Sequence, residues 1–162
     1  MPATAALHGP ILESRQLLWP DEAACAACAA RLAGRPALAN AFVELHGGLG
    51  AGKTTFVRHL LRALGVTGRI KSPTYAVLEP HQAAGLAISH FDFYRFTDPR
   101  EWVDAGFREL FAAPGLKLAE WPEKAAAVLP PADLRLYIDV DDSGQRRVFA
   151  EAGTPLGVEL LA

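Results

Sequence analysis

Residues 47–55 read GGLGAGKTT. Gly47, four residues, then Gly52-Lys53-Thr54 is the full spacing of a phosphate-binding loop. Glycines here leave the backbone free to adopt positive φ and leave no Cβ in the way. Successive N–H groups can then curl around an anion in front of a helix N-terminus. In that geometry Lys53 reaches the β- and γ-phosphates of a nucleotide, and the Thr54 hydroxyl binds Mg²⁺. The nucleotide contacts expected from the loop are Leu49, Gly50, Ala51, Gly52, Lys53, Thr54 and Thr55. A plain flexible turn is the competing reading, and the flanking sequence decides against it.

That flanking sequence supplies the elements the motif needs. Residues 41–45 (AFVEL) form a short apolar strand pattern. Residues 55–64 place Phe56, Val57, Leu60, Leu61 and Leu64 at helical spacing, with Gly65 as the stop. Upstream, residues 10–18 suit a first strand. Pro20-Asp21-Glu22 then opens a helix to about Leu32, and its acidic first turn suits the helix dipole. From the residues alone, Glu22 reads as a solvated helix start.

Two acids stand where strands end. Asp92 follows an apolar strand pattern at 86–91, and Glu120 follows another at 116–119. An α/β fold places metal partners or water-orienting groups at strand ends, so the two compete for the Mg²⁺ role. Between loop and acids lies Lys71-Ser72-Pro73-Thr74-Tyr75, a rigid point flanked by hydroxyls. Ser72 and Thr74 are placed where a γ-phosphate-sensing switch would sit, though the stretch taken alone reads equally as a polar turn. Residues 75–79 read as a strand, joined by a turn at 80–85 to the strand at 86–91. Asp98 reads as a helix cap, and Trp102, Val103, Phe107, Leu110 and Phe111 as packing residues. A short helix is expected over 122–129. Residues 134–140 and 147–152 pair as a hairpin around the turn at 141–144, and the tail forms a last short element. Arg146 or Arg147 could approach a nucleotide, but an exposed hairpin arginine is the simpler reading.

Bulk properties narrow the function classes. The chain has 162 residues, 51% of them hydrophobic, and a net charge of −2. A single domain over residues 1–162 is expected, able to bury about 70% of its unfolded surface. The charge gives no global attraction to nucleic acid. Arg58, Arg62, Arg69 and Lys71 are the one notable basic cluster, and an ordinary solvated helix face explains them better than an RNA-docking surface. No apolar run approaches a membrane span of about 20 residues, and the N-terminus lacks a secretory pattern, so a cytoplasmic protein is expected. Cys25 and Cys28 share one face of an Ala-rich helix and read as small buried hydrophobes, not as a redox or zinc pair.

The blocks GGLGAGKTTF, KSPTYAVLEP, HFDFYR, AEWPEKA and VLP, in this order, resemble the TsaE (YjeE) family. The phosphate loop is shared by many families; the other blocks at these separations are far more specific. The resemblance implies a small bacterial P-loop ATPase with a three-layer α/β fold and a mixed β-sheet. It implies ATP or ADP with Mg²⁺ as cofactors, and TsaB and TsaD as partners in making threonylcarbamoyladenosine beside the anticodon of tRNA. TsaD would carry the transfer itself, and any contact with tRNA would run through the complex. Carried over by position, Lys53 is the loop lysine, Thr54 and Glu120 the metal ligands, and Asp92 the acid needed for hydrolysis. Thr74 falls in the switch-like segment, and Glu22 where an N-terminal helix approaches the nucleotide. One departure is Gly48, where the family often has an acid. Rival readings are a small-metabolite kinase, which would need a lid and an acceptor pocket, and a nucleotide-sensing assembly subunit with little turnover. A GTPase is disfavoured because Asn40, the sole asparagine, starts no guanine motif.

Overall fold

Among the described residues, seven strands form one sheet in the order β1-β7-β6-β2-β5-β4-β3. The computed structural model describes residues 10–70, 73, 77–98, 100, 102 and 106–162. In chain order these give β1 (Glu13–Trp19), α1 (Glu22–Ala33), β2 (Phe42–His46), α2 (Lys53–Ala63), β3 (Leu78–Ala83) and β4 (Leu86–Asp92). There follow α3 (Phe107–Ala112), β5 (Leu116–Glu120), β6 (Leu134–Val140), β7 (Arg146–Ala152) and α4 (Pro155–Leu161). The central strands β2, β5, β6 and β4 pair in parallel; β1, β7 and β3 join through antiparallel ladders. The mixed sheet expected from sequence is therefore present, parallel at the phosphate loop and antiparallel at the hairpins.

Burial explains the strand sequences. All five residues of β5 are buried, as are four of the five in β2. Both strands lie between parallel neighbours and are covered on both faces, so even their charged positions Glu44, Lys117 and Glu120 are buried. On one face, Val43, Leu45, Leu116 and Leu118 pack with Phe56, Val57, Leu60 and Leu61 of α2 and Ala29 and Leu32 of α1. Trp19 stacks on Phe56 there, with ring centroids 5.4 Å apart. Phe42, Phe91 and Ala119 belong to a second cluster, with Phe93, Phe96, Trp102 and Phe107. Phe91 is its centre, meeting Phe107 edge-on at 5.2 Å and Phe111 at 4.8 Å. Trp102, Phe107 and Phe111 are thus packing residues, as their spacing suggested; Val103 lies outside the described residues.

Helix ends follow local chemistry. Asp21 is the N-cap of α1, its carboxylate accepting from the Ala24 N–H at 2.9 Å, so the helix starts at Glu22 rather than Pro20. α2 closes in a Schellman motif: Val66 N–H donates to Leu61 O and Gly65 N–H to Arg62 O, with Gly65 at φ 99°. Thr154 caps the tail helix α4, accepting from Gly157 N–H at 3.2 Å. Asp98, expected as a helix cap, accepts from Arg100 N–H at 2.9 Å, and residues 99 and 101 beside it lie outside the described residues. Cys25 is buried and Cys28 half-buried within α1, both as free thiols. Burial pushes the Cys25 thiol up to about 11, the reverse of an activated redox cysteine.

Three expectations about elements are corrected. Of the strand expected at 75–79, residues 75 and 76 lie outside the described residues; Leu78 and Glu79 belong to β3, which continues through Pro80 to Ala83, so the turn expected at 80–85 is Ala84-Gly85 alone, with φ 51° and 77°. These positive angles suit a two-residue hairpin turn. Pro80 is tolerated because β3 is the sheet edge. The helix expected over 122–129 is only a 3₁₀ turn, Pro122–Ala125. An eight-residue segment bounded by prolines is too short to propagate a helix. The last hairpin strand begins at Arg146 rather than Arg147.

Phe91→Ala should destabilise the protein by about 3–5 kcal/mol, because it removes the fully buried centre of the aromatic cluster. Urea unfolding followed by tryptophan fluorescence measures this. A loss under about 1 kcal/mol would show that the cluster collapses freely around the gap.

Candidate functional site

β2 delivers the chain into the loop, and α2 begins at Lys53. Two loop glycines are required by their surroundings. A Cβ on Gly47 would sit 2.6 Å from Ile138 O, and one on Gly52, at φ 109°, would sit 2.7 Å from Arg146 Nε. The loop is therefore pressed against the ends of β6 and β7. Arg146 fixes this contact by donating from Nε to Ala51 O at 2.7 Å. The reading of Arg146 as an ordinary exposed hairpin arginine is corrected: it is half-buried and lines the cleft. Arg147 does match that reading, being exposed and 3.5 Å from Asp141.

Lys53 is buried. Its ammonium donates to Gly47 O and lies 3.4 Å from the Trp121 ring centroid, a cation–π contact. Burial lowers its pKa, opposed by the charges of Glu120, Glu123 and Asp92. Trp121 itself takes a left-handed backbone, φ 54°, immediately after β5. That conformation costs energy in a bulky residue and aims the indole across the loop.

Thr54, the second residue of α2, donates its hydroxyl to Glu120 Oε1 at 2.8 Å. The other oxygen, Oε2, is 2.6 Å from His90 Nε2. Asp92 stands beside Glu120 in the β4–β5 register. Its carboxylate accepts from Tyr94 N–H at 3.0 Å. Burial raises the Asp92 pKa, with the Tyr94 bond acting against it and Glu120 adding to it.

These residues surround a cleft of about 340 Å³, lined by Leu49 to Thr55, Asp92 and Glu120, together with Tyr94, Trp121 and Arg146. The loop, both acids and the lysine anticipated from sequence therefore meet in one place. Glu22 is not among the lining residues; it is exposed and bonds His59 at 2.9 Å. Ser72 and Thr74 lie outside the described residues, although Pro73 between them borders the cleft. Trp121, Tyr94 and Arg146 were not assigned to the site from sequence. The adjacency of Trp121 to Glu120 was a usable signal; the approach of Arg146 across 95 residues was not.

Thr54 and Glu120 offer two hard oxygen donors side by side, the donor chemistry that suits Mg²⁺. Among the described residues no cluster of three or more His, Cys, Asp or Glu side chains could hold a metal. A cation here would thus complete its shell with phosphate oxygens and water, as Mg²⁺ does in nucleotide sites.

Fold and site define a class, an α/β domain built around a phosphate-binding loop. The family model described as threonylcarbamoyl adenosine biosynthesis protein TsaE matches residues 19–148, and the chain belongs to that family. The tRNA threonylcarbamoyladenosine biosynthesis protein TsaE of Haemophilus influenzae is 42% identical over 120 residues, covering 74% of this chain and 75% of that one. The TsaE protein of Bacillus subtilis is 34% identical over 106 residues, 65% of this chain and 66% of that one. That of Treponema pallidum is 34% identical over 106 residues, covering 65% and 78%. The crystal structure of Bacillus subtilis YdiB superposes with a TM-score of 0.77 over 94% of this chain and 95% of that one, at 23% identity, so it speaks to the fold. No helix among the described residues is long and apolar enough to cross a membrane.

Because burial raises the Asp92 pKa, ionising this acid costs folding free energy above the ordinary carboxylate pKa. Asp92→Asn should therefore raise the melting temperature at pH 7. The advantage should shrink as the pH falls through the raised pKa of the folded Asp92 and be gone below about 4, where the unfolded Asp is protonated as well. Thermal scans across pH 3–8 on both proteins check the sign; an Asn variant less stable at pH 7 would contradict it.

Proposed function

We propose that this chain is the ATP-binding and ATP-hydrolysing subunit for threonylcarbamoyladenosine modification of tRNA beside the anticodon, acting in the cytoplasm with TsaB and TsaD. The observation that carries the reading is the convergence of Lys53, the Thr54–Glu120 pair and Asp92 on one cleft at the phosphate loop. The names of the relatives support the pathway, and the resemblance of the sequence blocks supports the partners.

Each residue has a physical task in this reading. Loop amides of residues 49–54 hold the phosphates at the N-terminus of α2. Lys53 leaves Gly47 O and the Trp121 face to meet phosphate oxygens, exchanging neutral partners for charged ones. Thr54 and Glu120 hold Mg²⁺, which when bound neutralises charge on the phosphates. Asp92 orients the attacking water and takes up its proton, a task that its raised pKa favours. Arg146 keeps the loop seated through Ala51 O. The metabolite-kinase and nucleotide-sensor readings assign the same cleft to a different use.

Reconstituted tRNA modification, with the transfer enzyme limiting, separates these readings. Modification over many turnovers should require this chain and release phosphate in step. Phosphorylation of a metabolite, or modification sustained by a nonhydrolysable ATP analogue, would contradict ATP-driven cycling. In calorimetry, Lys53→Ala should weaken ATP binding by about 1.5–3 kcal/mol, the range for hydrogen bonds to charged groups. Unchanged affinity would remove the phosphate site itself.

A further inference from the structure

The two carboxylate oxygens of Glu120 have different partners. Oε1 accepts from Thr54 at the cleft, while Oε2 meets His90 Nε2 at 2.6 Å behind it. Both side chains of this second pair are almost fully enclosed, His90 at 0% and Glu120 at 2% exposure. An ionised carboxylate only accepts, so Nε2 carries the hydrogen and donates it. His90 stands opposite Leu118 in the β4–β5 register and reaches diagonally to Glu120, two residues further along. Of the strand positions around it on that side, Ile88, Leu116 and Leu118 are apolar, while Glu79 stands opposite His90 in β3, with His81 next along β3 on that face and Asp92 next along β4.

Packing alone does not explain a histidine there. An apolar side chain would fill the same space without burying polar nitrogens. His90 Nδ1 is buried without a hydrogen-bond partner, so the ring accepts an unsatisfied atom while holding Glu120 through the other nitrogen. The terminal torsion of a glutamate is broad, and nothing intrinsic to the side chain selects which oxygen faces Thr54. A donor held rigidly at Oε2 makes that selection.

We propose that His90 is a positioning residue for Glu120, fixing Oε2 so that Oε1 stays aimed at Thr54 and the cation position beside it; this rests on the Mg²⁺-nucleotide reading of the cleft. His90 acts through Glu120 and touches neither nucleotide nor cation. Partners behind a ligating group commonly govern metal affinity in this way.

The test is calorimetric titration of ADP into the full chain, with Mg²⁺ and separately with EDTA. His90→Leu should cut the Mg²⁺-dependent gain in ADP affinity by about 10-fold or more, leaving the EDTA affinity unchanged. His90→Gln, whose amide nitrogen can fall near the position of Nε2, should keep the gain. His90→Asn, whose nitrogen falls near that of Nδ1, should lose it. The Gln–Asn comparison decides the matter even if the Leu variant fails to fold. A folded His90→Leu protein with the full Mg²⁺ gain overturns the assignment, as does equal loss in Gln and Asn. Absence of any Mg²⁺ gain in the unaltered protein overturns the underlying reading instead. The two failures are distinct, because the first is seen only in the variants.

Discussion

The hydrogen bond from Thr54 Oγ1 to Glu120 Oε1, at 2.8 Å, joins the two halves of the site. One partner is set by the start of α2, the other by the end of β5. Neither is free to move: α2 is anchored by four fully buried apolar side chains, and β5 is buried at every residue. A carboxylate at 2% exposure would be costly without partners. Two hydrogen bonds, from Thr54 and His90, satisfy it and leave one oxygen at the cleft. The parallel pairing of Leu45 with Glu120 brings the acid level with the last residues of β2, where the chain enters the loop.

Other features follow from this junction. β5 must end abruptly, and Trp121 does so by taking a left-handed backbone that lays its indole over Lys53. The lysine is held in a partly desolvated place with two neutral partners, Gly47 O and an aromatic face. This arrangement suits a group that must exchange them for an anion. β6 and β7 press on the loop from the far side, through Ile138 at Gly47 and Arg146 at Ala51 and Gly52. The loop is thus clamped between a carboxylate junction and a hairpin, and its glycines answer steric limits as well as anion binding.

Much of this was legible in the chain, because the chemistry of a phosphate loop is carried by close spacing. Residues 47–55, their strand and their helix are local, and so is the cap at Asp98. The two strand-end acids were legible as a pair, and the resemblance assigned separate roles to them. What stayed hidden depends on distant residues. Pro80 looked like a turn because its place on the sheet edge is a property of topology. Arg146 looked solvated because its acceptor lies 95 residues away. His90 passed as part of an apolar strand, since only folding brings it to Glu120. Glu22 read as a solvated helix start from the residues themselves, and its carboxylate is exposed and bonded to His59; its place near a nucleotide came from the resemblance alone.

The central claim is that Thr54 and Glu120 act as one cation-binding unit at the phosphate loop. The most direct measurement is a double-mutant cycle, Thr54→Val and Glu120→Gln singly and together, following ADP affinity by calorimetry with and without Mg²⁺. If the claim holds, each single change removes the Mg²⁺-dependent gain and the double change removes little more, a non-additivity expected of residues in contact. Additive losses, or a Mg²⁺ gain that survives either single change, would contradict it.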